Sequence, residues 1–222
     1  MIRLNEKLNE GNIEDQGLLE FNKSAFDSNV SLEDAMSFWD KEFVSLADVS
    51  ISDICDHDED EFSFDIDLNE VKEILDKFRE EKWNTLSDEE RIDVIEEFKQ
   101  VIGEKLELRD IPNIVFFEAE PEDCGYYDFE SNTIGINSCE LNNPIALLNT
   151  ISHEMRHAFQ YDKSNHPEND KEKMYRLNFE FYISPVFTED GECVNFLEYQ
   201  DQFIEAEARA FANYVIEGME ES

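Results

Sequence analysis

Basic side chains are scarce in this chain. Among 222 residues, 18 Lys and Arg stand against 56 Asp and Glu, a formal net charge of −38. A surface of that sign repels phosphate backbones and anionic headgroups, so direct nucleic-acid binding and a membrane-surface role are not expected. Long apolar runs are also missing. No stretch reaches the length of a transmembrane helix, and Met1-Ile2-Arg3-Leu4-Asn5-Glu6 lacks the apolar run of a secretory signal. The expected location is the cytoplasm, with delivery as an effector the other route. Cysteine is sparse: residues 55, 124, 139 and 193 never fall into CxxC spacing, which argues against a zinc ribbon and for free thiols in a reducing compartment.

Apolar material is sufficient for a core. Hydrophobic residues make up 41% of the chain and include 18 Phe and two Trp, enough for one domain of good size plus an appendage. The pattern divides into an acidic, partly helical N-terminal segment, residues 1–62, and a main domain, residues 63–222. In the first, Ser31-Leu32-Glu33-Asp34 opens a short helix carrying Ala35, Met36, Phe38, Trp39 and Phe43. The acidic run Asp53 to Glu61 encloses His57 and reads as a solvated linker rather than a metal site, because like charges in a run repel and extend the chain.

In the main domain, Asp67 with Glu70 predicts a helix to about Lys82, and Ser87 with Glu90 a capping box opening a helix to about Leu106. Residues 113–118 read as a buried strand. Gly125 to Phe129 and Thr133 to Asn137, separated by Glu130-Ser131-Asn132, suit a hairpin. Further helices are predicted over 143–161, 168–182 and 196–218, with a turn at Glu189-Asp190-Gly191-Glu192. The expected fold class is α+β, with a small mixed sheet.

Histidine occurs four times, and two of the four fall in His153-Glu154-Met155-Arg156-His157, the HExxH pattern. Histidines four apart on a helix lie one turn above each other, so both imidazoles can reach one metal ion while the glutamate between them addresses a water. Leu148, Ile151, Met155, Ala158 and Phe159 form an apolar stripe at about 100° per residue, which places His153 and His157 on the opposite, polar face. Arg156, beside the pair, is expected to be exposed and to meet a local acid.

A catalytic zinc takes three protein ligands and leaves a position for water. His166 follows His157 without the Gly of the long three-histidine pattern, so the glutamates of the last helix are better candidates. Glu205 shares its helix face with Gln202, Ala208, Arg209 and Ala212, where small side chains permit close approach. Glu207 points with Phe203, Ala210 and Tyr214 and stays the alternative.

The block Thr150-Ile151-Ser152-His153-Glu154-Met155-Arg156-His157-Ala158-Phe159-Gln160, followed by Glu205-Ala206-Glu207-Ala208-Arg209-Ala210-Phe211-Ala212, resembles the HExxH and ExEAxxFA blocks of small bacterial zincin metallopeptidases. It is similar to the ImmA/IrrE-like peptidases and to the peptidase domains of bacterial polymorphic toxins. The resemblance covers roughly residues 65 to 220. It implies a zincin-like fold, Zn2+ held by His153, His157 and Glu205, Glu154 as general base, a peptide or protein substrate and, in the hairpin, an edge strand that pairs with it. Tyr199, Tyr161, His166 and Tyr214 are the candidates for steadying the oxyanion. Two other readings stand beside this one. The same scaffold could be a binding module whose acidity engages a basic partner or mimics nucleic acid. Alternatively the metal is structural, closed by a fourth ligand such as His166.

Overall fold

The computed structural model describes residues 62–121, 123–188 and 193–220. The helix expected after Ser31, the run around His57 and the turn at 189–192 lie outside the described residues.

Among the described residues, five helices and three strands carry the architecture. The first helix, α1 (Asp88–Lys105), starts as its sequence dictates: Ser87 Oγ accepts from the Glu90 amide at 3.3 Å while Glu90 Oε2 accepts from the Ser87 amide at 2.8 Å. These two reciprocal bonds satisfy amides that a helix start leaves without partners. It ends with Glu107 at φ 54, and the Leu108 amide reaches back to the Gly103 carbonyl at 3.0 Å.

Strands β1 (Asn113–Phe117), β2 (Gly125–Asp128) and β3 (Thr133–Asn137) form one mixed sheet in the order β1-β3-β2. β2 and β3 are antiparallel, as the hairpin pattern predicts, with Tyr127 opposite Ile134; β1 joins β3 in parallel, with Val115 opposite Gly135. Asp128 closes the turn by accepting from the Glu130 amide at 3.0 Å and the Ser131 hydroxyl at 2.8 Å. β1 is not the buried strand expected. It sits at the sheet edge, and Val115 is 42% exposed.

Helix α2 (Pro144–Ser164) carries the HExxH residues. Asn143 caps it by accepting from the Ala146 amide at 3.2 Å, and Pro144 supplies a pre-set first turn. The chain then forms α3 (Asp170–Glu180), α4 (Phe196–Gln200) and α5 (Phe203–Glu220). The core joins Trp83, Phe78, Phe98 and Ile95 from the first part of the domain to Leu147, Ile151 and Met155 of α2 and Phe211 and Val215 of α5.

Two expected helices are interrupted. Residues 68–83 form a chain of short helical turns because Arg79 is extended at φ −61, ψ 135, where it pairs with Asp76 and donates to the Met219 carbonyl at 2.8 Å. The last helix breaks after Gln200. There Gln202 donates from Nε2 to the Ile183 carbonyl at 2.9 Å and accepts the Ile183 amide at 3.1 Å, pinning a distant segment to the start of α5.

Candidate metal centre

The apolar stripe of α2 faces the core as its spacing predicts, but the opposite face is not a solvent face. Glu154 is 2% exposed, Arg156 6% and His157 0%, because α5 lies across them. A polar helix face can be buried only where partners satisfy it, and here α5 and α3 supply them.

His153 and His157 approach through their Nε2 atoms, 3.0 Å apart. Glu205, in the first turn of α5, points at both: its Oε2 lies 3.2 Å from His153 Nε2 and its Oε1 3.5 Å from His157 Nε2. Ligand atoms about 2.0–2.2 Å from one tetrahedral ion lie roughly 3.3–3.6 Å from each other, so the observed separations suit a shared cation. His153, His157 and Glu205 could therefore hold a metal ion. Glu207, the alternative, is elsewhere.

The electrostatics agree with the donor chemistry. Burial disfavours the Glu205 carboxylate, yet the His157 and His153 imidazoles outweigh it and hold its carboxyl well below the usual range. Burial likewise works against a charged His157, but Glu205 overrides it and raises that pKa. For His153 burial prevails and the pKa falls. An ionised carboxylate facing two imidazoles is a donor set that could hold a cation.

Around this triad, Tyr182 donates its hydroxyl proton to Glu205 Oε1 at 2.7 Å. Tyr199 stacks edge-on to Tyr182, with ring centroids 6.3 Å apart. Burial, then the charges of Glu205 and Glu154, raise its phenol pKa above the ordinary value, so it keeps its proton. Strand β2 closes the other side: a β-carbon on Gly125 would fall 2.5 Å from Thr150 Cγ2 and 3.8 Å from Glu154 Cγ.

Behind His157 lies a second polar group. Gln160 Oε1 is 2.8 Å from His157 Nδ1, and Gln160 Nε2 donates to Glu207 Oε2 at 2.8 Å and to the Ile204 carbonyl at 2.9 Å. Glu207 also accepts from Arg156 at 2.6 Å, Lys171 at 2.7 Å and the Tyr175 hydroxyl at 2.8 Å. Burial works against its charge, but Arg156 overrides it and draws the carboxyl down to about 2. Arg156 therefore does pair with an acid, but a buried one on another helix. Its guanidinium lies 4.2 Å from the Phe159 ring centroid and 5.1 Å from that of Phe64, which covers it.

Of the four oxyanion candidates, the fold brings only Tyr199 to the triad. Tyr161 packs against Phe129 and Phe179, Tyr214 donates to the Ile66 carbonyl at 2.7 Å, and His166 is exposed beyond the end of α2. Tyr182 and Gln160 escape sequence reasoning. Tyr182 ends the predicted helix 168–182 and in the structure lies beyond the last residue of α3, Glu180, while Gln160 looks like one more polar residue near a helix end.

No family model, curated protein or solved structure matches this chain. The geometry of the site is what carries a functional reading.

Proposed function

We propose that the chain is a zinc-dependent peptidase of zincin type, with His153, His157 and Glu205 as ligands and Glu154 as general base. The observation that carries the reading is the convergence of two Nε2 atoms from the helix that also bears Glu154 with one carboxylate from α5, within 3.0–3.5 Å of each other. Two imidazoles and one carboxylate suit zinc better than magnesium or calcium, which favour all-oxygen shells. Three protein ligands leave a position open for reaction. When bound, zinc supplies Lewis acidity toward a water and a carbonyl.

The chain's own residues supply the rest. Glu154 accepts the proton of the attacking water at its carboxylate and returns it to the leaving amine nitrogen. Tyr199, held protonated, offers its hydroxyl to the oxygen of the carbonyl under attack. Tyr182 holds Glu205 in place through its 2.7 Å bond. Substrate enters along β2, an edge strand of the sheet that passes close to Glu154, where an extended peptide can add as a further strand.

Metal analysis of the purified protein should find one zinc per chain. Glu154→Gln should keep that zinc and lose cleavage of a peptide library; cleavage retained in this variant would sink the mechanism.

A further inference from the structure

Gln160 does more than fill space behind the site. Its two ends face partners of opposite kind, and their identity fixes which way the amide lies. The Ile204 carbonyl can only accept, at 2.9 Å, and Glu207 Oε2 can only accept while ionised, at 2.8 Å. Glu207 is kept ionised by Arg156 at 2.6 Å and Lys171 at 2.7 Å, with the Tyr175 hydroxyl donating as well. Both acceptors therefore demand the NH2 end of Gln160, and the oxygen is left to face His157 Nδ1 at 2.8 Å. An amide oxygen only accepts, so Nδ1 must carry the proton.

We infer that Gln160 is a positioning residue for the proposed metal centre: locked by Glu207 and the Ile204 carbonyl, it fixes His157 as the Nδ1–H tautomer and aims the Nε2 lone pair at the shared site. The inference rests on the metal reading above, but it makes a separate claim. Glu207, which is not among the converging ligand groups, acts through Gln160 rather than on the ion. The chain of bonds runs from the half-exposed Lys171 through Glu207 and Gln160 to His157, each link between 2.7 and 2.8 Å. It explains why a nearly dry interior retains an Arg, a Glu and a Gln. An imidazole free to turn over or to swap tautomers would present Nε2–H, a donor, where the site needs an acceptor.

Two measurements on the full chain test this. Long-range 1H–15N correlation spectra of the metal-free and zinc-loaded wild type should show His157 Nδ1 protonated in both, with a downfield, slowly exchanging proton. An unprotonated Nδ1 in the metal-free protein overturns the inference whether or not zinc binds. Zinc affinity, read by competition with a chromophoric chelator, should fall about 10–100-fold in Gln160→Leu, the range expected when the partner of a metal-ligating His is removed. Gln160→Glu, whose carboxyl can share a proton with Glu207 and still present an oxygen to Nδ1, should stay within about threefold of wild type. Equal loss in the Leu and Glu variants, or no loss in Leu, overturns the proposal. Absence of zinc binding by the wild type fails the metal reading itself, and the spectra separate that failure from this one.

Discussion

At the residue scale, two tyrosines divide the labour around one carboxylate. Tyr182 spends its hydroxyl proton on Glu205 Oε1, whereas Tyr199 stands beside both Glu205 and Glu154 with its proton retained. Their variants should therefore part ways. Tyr199→Phe should lower kcat roughly 10²–10³-fold, as for loss of an oxyanion donor, and leave zinc affinity unchanged. Tyr182→Phe should weaken zinc binding about tenfold, because a ligand carboxylate loses the bond that orients it. Chelator competition and steady-state kinetics on the two variants check this, and the reverse pattern would exchange their roles. The three candidate ligands were legible in the sequence because His153 and His157 sit at a spacing that only a helix makes useful, and because Glu205 shares its face with alanines. Tyr182, Gln160 and the true partner of Arg156 were not. Each meets its target across 23, 44 or 51 positions through a single side-chain bond, and no periodicity records such a bond.

At the scale of elements, the same contrast recurs. α1 follows from its capping box and the β2–β3 hairpin from its polar turn, both local instructions. The breaks at Arg79 and Gln202 follow from bonds to Met219 and Ile183, which lie far along the chain, so uninterrupted helices were the natural reading. The contact between β2 and α2 depends on Gly125, where a β-carbon would also fall 2.9 Å from the Gly135 carbonyl oxygen. Gly125→Ala should destabilise the fold by about 1–3 kcal/mol through overpacking, and raise KM more than it lowers kcat as the edge strand moves away from Glu154. The α2–α5 contact has its own pH signature. Glu207 titrates near 2 in the fold against an ordinary 4.5, so its pairing with Arg156 stabilises the folded state fully above about pH 5, and the contribution fades as pH falls toward 2. The difference corresponds to about 3 kcal/mol. Urea unfolding across that window should show a steeper loss in the wild type than in Glu207→Gln, which starts less stable at neutral pH because Arg156 and Lys171 lose their counter-charge.

At the scale of the whole molecule, the charge of −38 has to be read together with the apolar side chains left in water. Phe181, Val186, Phe187, Val194, Phe196 and Leu197 are all exposed on the stretches that flank Tyr182 and Tyr199. No helix among the described residues is long and apolar enough to cross a membrane. On the proposed peptidase reading, these exposed apolar side chains and the net charge of −38 favour extended peptides that combine bulky apolar residues with Lys and Arg. Long-range attraction of this kind raises association rates about tenfold or more and is screened within about 10 Å at 0.1 M salt. The kcat/KM for a Lys- and Arg-bearing peptide should therefore fall about tenfold between low and high ionic strength, while a neutral peptide with the same apolar residues changes little. Identical salt responses would remove charge from the account of specificity. The Glu154→Gln variant then separates catalysis from capture. It should bind the cationic peptide with the wild-type salt dependence and fail to cut it, whereas wild-type capture with no cleavage at any salt concentration would leave the acidic scaffold as a binding module.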